Sequence, residues 1–263
     1  VGRSRPFPHL SCAQSHNEQN LAIVSFSVIV AKSDRFSEWK SDRFHIKGYA
    51  RLKSPRSRGQ SPMLSTQSQQ KLTFEQFLEQ CPEDGRYELV NGEIVRILAT
   101  RQHEDVADFI AKRLDQEVDQ AGLNYKVSGR IMLATQTAEG VEQGRFPDVS
   151  VVDLDQWRSN RRAYTALSEP IQLVVEVVST NWEDDYIDKL DEYCRLGISE
   201  YWIVDYLALG SRDYLGNPKQ PSVLVYMLND QQQYEMQRFQ GGDRILSPTF
   251  PDLNLTMNEI LQS

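Results

Sequence analysis

The chain has 263 residues, 40% of them apolar and 25% charged, with a formal net charge of −8. That is ample length for a sizeable core and the composition of an ordinary globular protein. Residues 1–62 carry 11 Lys and Arg against 4 Asp and Glu, and the rest 18 against 33, so the acidic body argues against a generic phosphate-backbone binder.

Residues 1–62 read as an upstream extension outside the fold. Their apolar run, Leu21 to Ala31, covers 11 residues, against about 20 for a helix that spans a bilayer. The stretch from Lys32 to Pro62 is basic and Ser-rich, without sustained periodicity. The first methionine is Met63, just ahead of a clear helix start, so the folded domain is expected over residues 63–263. A basic arm that docks on DNA is the competing account of the extension. Cys12, Cys81 and Cys194 lie far apart with no CxxC or Cys/His ligand spacing. This gives neither a disulfide framework nor a zinc site, and it fits a reducing, cytoplasmic location.

Thr73, with Gln76 three residues on, makes a capping box for a short helix whose apolar face is Phe74, Phe77 and Leu78. Tyr87–Val90 and Glu93–Ile97 alternate around Asn91-Gly92, the sequence of a type I′ hairpin. From His103 to about Gln120, Val106, Phe109, Ile110, Leu114 and Val118 recur three and four apart, predicting a helix that Gly122 closes. Tyr125–Ala134 and Asp148–Val152 read as strands, with a polar loop from Thr135 to Arg145 between them. A long connection bearing Trp157 and Arg158 to Arg162 then leads to a buried-looking strand, Ile171–Val178.

Ser179-Thr180-Asn181 offers an N-cap for a helix from about Glu183 to Leu196, closed by Gly197. Glu200–Asp205 is a strand, Ser222–Leu228 and Tyr234–Phe239 form an antiparallel extension, and a last short helix falls within Leu253–Leu261. The order predicts an α/β fold: a mixed β-sheet flanked by helices, with an added N-terminal hairpin and C-terminal antiparallel strands. No glycine-rich phosphate loop follows a strand, which excludes a doubly wound nucleotide fold.

Two carboxylates carry the chemistry. Asp148 follows Pro147 at the start of a strand, and Glu176 lies inside Leu173–Val178 among branched apolar residues. An isolated buried carboxylate is costly, and two brought together repel. A divalent cation relieves both, and hard oxygen donors suit Mg²⁺ or Mn²⁺. Taken alone, Asp148 reads equally well as a turn or cap residue, and Glu176 as a carboxylate paired with an arginine.

Four stretches in order, Arg86–Glu93, Pro147–Asp153, Leu173–Ser179 and Lys189–Asp205, resemble the Uma-two family, bacterial proteins classed as restriction endonucleases within the PD-(D/E)XK nuclease superfamily. The resemblance spans Met63 to Ser263 and implies a restriction-endonuclease-like fold and Mg²⁺-dependent cleavage of DNA, with Mn²⁺ as a substitute. It places Asp148 and Glu176 as metal ligands and the Val177 carbonyl as a third. The superfamily's lysine, two residues after the Glu, falls here on Val178, which cannot do its work. Lys189 on the following helix is the candidate replacement. Helical spacing sets it beside Tyr186 and Tyr193, at the edge of a stripe formed by Ile187, Leu190 and Cys194. A surface lysine paired with Asp185 is the alternative.

Weaker candidates are Glu88, on the hairpin that the resemblance brings near the site, and His103, which could contact phosphate or water. Solvated surface positions are their plain reading. Arg130, Arg145, Arg158, Arg161 and Arg162 are expected to form a basic rim for DNA, and a homodimer would supply two sites for two strands. Val178 and the acidic body together support the alternative, a catalytically silent nuclease-fold protein that serves as a binding or assembly partner.

Overall fold

The computed structural model describes residues 10–11 and 71–263. Its first element is a two-residue strand, β1 (Leu10–Ser11). The continuous body opens with α1 (Phe74–Gln80), where Thr73 and Gln76 form the expected reciprocal cap. Strands β2 (Arg86–Val90) and β3 (Glu93–Ile97) follow. Their turn has Asn91 at φ 53° and Gly92 at φ 85°, the left-handed pair that a type I′ hairpin requires. Helix α2 (Arg101–Ala121) starts on Thr100 and ends at left-handed Gly122.

The segment expected as one strand from Tyr125 to Ala134 is two, β4 (Tyr125–Ser128) and β5 (Met132–Gln136), and they join different sheets. The break lies at Gly129, where a Cβ would come within 2.7 Å of the Asp148 carbonyl oxygen. The expected loop Thr135–Arg145 is largely strand: β5 turns back into β6 (Glu142–Arg145), paired from Leu133 to Gln136. Polar side chains hid this hairpin, since Gln143 and Arg145 are polar yet buried.

Next come β7 (Val149–Asp153), α3 (Leu154–Ser159), β8 (Ala166–Leu167) and β9 (Leu173–Val177). A π-helical turn, Asp184–Asp188, runs directly into α4 (Lys189–Leu196). The remainder is β10 (Glu200–Asp205), α5 (Arg212–Leu215), β11 (Ser222–Leu228), β12 (Gln233–Gln240) and α6 (Met257–Ile260).

Two mixed sheets result. The seven-stranded sheet has the order β1-β12-β11-β10-β9-β7-β4, and the five-stranded sheet the order β3-β2-β6-β5-β8. In the larger, β9 and β10 are parallel and the other pairs antiparallel. Alternation along β9 splits the core as strand periodicity requires. Leu173, Val175 and Val177 pack with Val106, Ile110 and Leu114 of α2. Val174 and Val178 face Leu190 and Tyr193 of α4, which also meets Leu133 of β5. Helix α4 thus packs against both sheets, and Tyr201 and Trp202 are fully buried core, one on each face of β10.

Of the N-terminal extension, only β1 is described, and it adds a short edge against Tyr234 and Gln233 of β12. The expectations for the apolar run and for a start at Met63 lie outside the described residues. Among those described, no helix is long and apolar enough to cross a membrane. Cys81 is a free thiol, but Cys194 is disulfide-bonded, which corrects the expectation drawn from cysteine spacing: residues far apart in sequence can meet in the fold.

Candidate active site

Strand β7 pairs antiparallel with β9 in the register Val149 to Val175. One more step along that register sets Asp148 beside Glu176, at the end where β9 gives way to a loop. The Val177 N–H donates to Asp148 Oδ2 at 2.8 Å, which fixes the aspartate on the neighbouring strand. Glu176, on the opposite face from Val177, points toward α4, where Tyr193 donates to Oε1 at 2.6 Å and the Lys189 ammonium lies 2.9 Å from Oε2. The same ammonium is 3.1 Å from Asp185 and 3.9 Å from Glu88. These groups open into a cleft of about 320 Å³.

The π-helical turn decides where Lys189 points. Its N–H bonds the carbonyl of Asp184, five residues back, and the wider turn shifts the helix face. Tyr186, Lys189 and Tyr193 therefore face inward, while Ile187, expected in the buried stripe, is 50% exposed. Regular 100° spacing fails here for that reason. Lys189 meets both Glu176 and Asp185, so the two alternatives drawn from sequence are one arrangement.

Charge is unbalanced in the buried cluster around Lys189 and Arg145. The carboxylates Glu88, Asp148, Glu176, Asp185 and Glu192 meet two permanent cations, Lys189 and Arg145. Burial pushes Glu176 up; Lys189 pulls it down, but Asp148, Asp185 and Glu88 raise it again, to about 8. Asp185 is raised by burial, against the pull of Lys189, to about 6. Burial opposes the charge on Lys189, yet the surrounding carboxylates hold its pKa well above the ordinary lysine value. Burial also opposes the charge on Asp148, but His103, the Val177 N–H and Lys189 outweigh it and keep the carboxyl below its usual range.

The family model described as "Uma2: Putative restriction endonuclease" matches residues 74–258. This chain belongs to the Uma2 family. Its fold is also that of a solved structure titled a putative nuclease belonging to DUF820, from Anabaena variabilis ATCC 29413. The match has a TM-score of 0.55 at 14% identity and covers 73% of this chain and 98% of that one. No curated protein matches significantly.

In this Uma2 protein His103 is not a surface residue. Its ring is buried, with Nε2 2.8 Å from the Val177 carbonyl oxygen and 3.3 Å from Asp148 Oδ2. Burial lowers its pKa, but Asp148 and the carbonyl more than compensate and raise it. Glu88 is likewise not on a solvated hairpin face. It is 8% exposed, accepts the Phe146 N–H at 2.9 Å and steadies the chain just ahead of Asp148. Val178 is fully buried and takes no part.

Arg145 leaves the expected basic rim. Its guanidinium is buried and grips Glu192 through two hydrogen bonds, 2.8 and 2.5 Å, with Glu88 at 3.5 Å. Arg145→Met is expected to cost about 3–5 kcal/mol, because Glu192 would remain buried without a cation; urea denaturation measures it, and a loss under 1 kcal/mol would contradict the pairing. Arg130, Arg158, Arg161 and Arg162 are exposed. The last three follow the end of β7 remote from Asp148, and none of the four lines the cleft. Arg96, which the sequence did not single out, does line it.

Glu192 and Thr135 escaped sequence reading. Asp185 and Tyr193, four residues before and after Lys189, entered it only as helical neighbours of that lysine. Thr135 of β5 donates to Glu192 of α4 at 2.6 Å, a pairing no local pattern announces.

Proposed function

We propose that this protein is a Mg²⁺-dependent endonuclease that hydrolyses DNA phosphodiester bonds, with Mn²⁺ as a substitute. One observation carries the reading: Asp148 and Glu176 converge from neighbouring strands in an open cleft, with the Lys189 ammonium 2.9 Å from Glu176.

The donor set fits the ion. Among the described residues no cluster of three or more His, Cys, Asp or Glu side chains is arranged to hold a metal. Two carboxylates and the Val177 carbonyl are nevertheless all hard oxygens, and the surplus of buried negative charge favours a cation there. The carbonyl has a second lone pair beyond the one that His103 occupies. Asp148, Glu176 and Val177 would hold the ion, which when bound would polarise water and offset phosphoryl charge.

The protein's own groups do the rest. His103 and the Val177 N–H keep Asp148 ionised and fixed. Tyr193 and Lys189 fix the two oxygens of Glu176. Because its pKa is raised, Lys189 stays protonated; it therefore orients water and stabilises negative charge, and does not act as a base. The silent-partner alternative draws on Val178, but Lys189 supplies from the next helix the charge that Val178 lacks.

The test is plasmid cleavage by the purified protein. Nicking or cutting is expected with Mg²⁺ or Mn²⁺, lost in EDTA, and reduced about 10³-fold or more in Asp148→Ala and Glu176→Ala. Undiminished cleavage by either variant would remove the assignment.

A further inference from the structure

Among the described residues seven large hydrophobic side chains are exposed, and three of them, Val95 (43%), Leu98 (82%) and Leu207 (51%), line the cleft that holds the carboxylates. Val95 and Leu98 come from β3 and its connection to α2, and Leu207 follows β10. A single exposed leucine is ordinary, whereas a patch gathered at one mouth marks a contact surface.

The same lining is poor in cations. Arg96 and Lys189 stand against Glu88, Asp148, Glu176, Asp184 and Asp185, and Lys189 is already engaged. Duplex DNA is held through its phosphates by rows of Lys and Arg, and its bases are hidden in the stack. Aliphatic side chains at this mouth would find little to touch on it. An unpaired strand presents base faces and sugars as apolar surface that exposed aliphatic side chains can cover. The cleft volume of about 320 Å³ lies at the small end of the range for ligand pockets and has room for a nucleotide unit.

The geometry points to an unpaired polynucleotide as the occupant of this cleft, with Leu98 and Leu207 packed against the bases beside the scissile phosphate. The inference rests on the hydrolytic reading above and narrows its substrate to single-stranded or locally unpaired nucleic acid. One site suffices for one strand, so the homodimer expected for double-strand cutting is not required.

Fluorescence anisotropy tests it, using a labelled single-stranded DNA, the same sequence as a duplex, and the matched RNA strand, with Ca²⁺ in place of Mg²⁺. Either unpaired strand should bind at least about tenfold more tightly than the duplex, and the stronger of the two names the sugar. The double variant Leu98→Ser/Leu207→Ser should weaken single-strand binding about tenfold and leave duplex binding unchanged. Both positions are exposed, and an unchanged melting temperature confirms that the fold is intact. Equal binding of duplex and single strand, or a double variant that binds as the parent does, overturns the inference. Single-strand preference without cleavage in any metal removes the hydrolytic reading alone. Cleavage indifferent to strandedness removes this inference alone.

Discussion

Lys189→Met is expected to slow cleavage about 10²–10³-fold and to lower stability at pH 8 by about 3–5 kcal/mol, with much of the stability recovered near pH 5.5. The ammonium touches Glu176 and Asp185 and lies 3.9 Å from Glu88, so its loss leaves three buried carboxylates facing one another. Methionine fills similar volume, which keeps packing out of the comparison. The sign follows from linkage. The folded-state pKa of Lys189 is raised, so its contribution is fully present below the unfolded value of 10.5 and is lost only as pH rises through the higher folded value. Across pH 5–9 the lysine therefore stays charged, and the pH dependence belongs to its neighbours. Without it Glu176 and Asp185, at about 8 and about 6 in the parent, rise further and take up protons in acid, which relieves the repulsion. Urea denaturation at pH 5.5 and 8, with cleavage rates normalised to folded protein, measures both effects. A stability loss equal at the two pH values would rule out the electrostatic account, and an undiminished rate would rule out the water-orienting role.

The two acidic positions were legible in sequence because each breaks a local rule: a Pro-Asp at a strand start, and a glutamate among branched apolar residues. Alternation along Leu173–Val178 also fixed which face Glu176 takes, and the core clusters on either side of β9 agree. Lys189 was legible as a candidate from its place beside Tyr186 and Tyr193, but the outward turn of Ile187 was not, because a π-helical turn depends on tertiary packing and leaves no 100° signature. The hairpin β5–β6 escaped for another reason. Gln143 and Arg145 are polar, but their partners Asn91, Glu88 and Glu192 come from distant segments, so composition reads as loop where the fold makes buried strand. His103 and Glu88 failed as surface residues on the same ground: each is buried against a group from another element. Sequence pattern reports burial of apolar side chains well, and burial of paired polar ones poorly.

In EDTA the protein's stability is expected to fall as pH rises from about 6 to beyond 8, and Mg²⁺ should restore it more at pH 8.5 than at pH 6. Asp185 and Glu176 have folded-state pKa values of about 6 and about 8, above their ordinary 3.8 and 4.5. Between the ordinary and the raised value the folded state binds more protons than the unfolded chain, so each unit of pH in that window removes stability. His103, raised above 6.5 with Asp148 as partner, acts in the same direction: its contribution is present below 6.5 and is lost as pH passes its folded value. Asp148, held below 3.8, contributes above that value and loses its effect only in stronger acid, outside this window. A divalent cation competes with the proton on Glu176, so its hold strengthens as that proton leaves. At 100 times its Kd the ion would add about 2.7 kcal/mol. Glu176→Gln keeps the size of the side chain and removes its titration, and should flatten the pH profile while abolishing the Mg²⁺ response. Thermal scans of parent and variant at four pH values, with EDTA or with Mg²⁺, read the whole set. A Mg²⁺ shift that is equal at pH 6 and 8.5, or that survives in Glu176→Gln, would place the ion elsewhere and detach the surplus of buried carboxylates from metal binding.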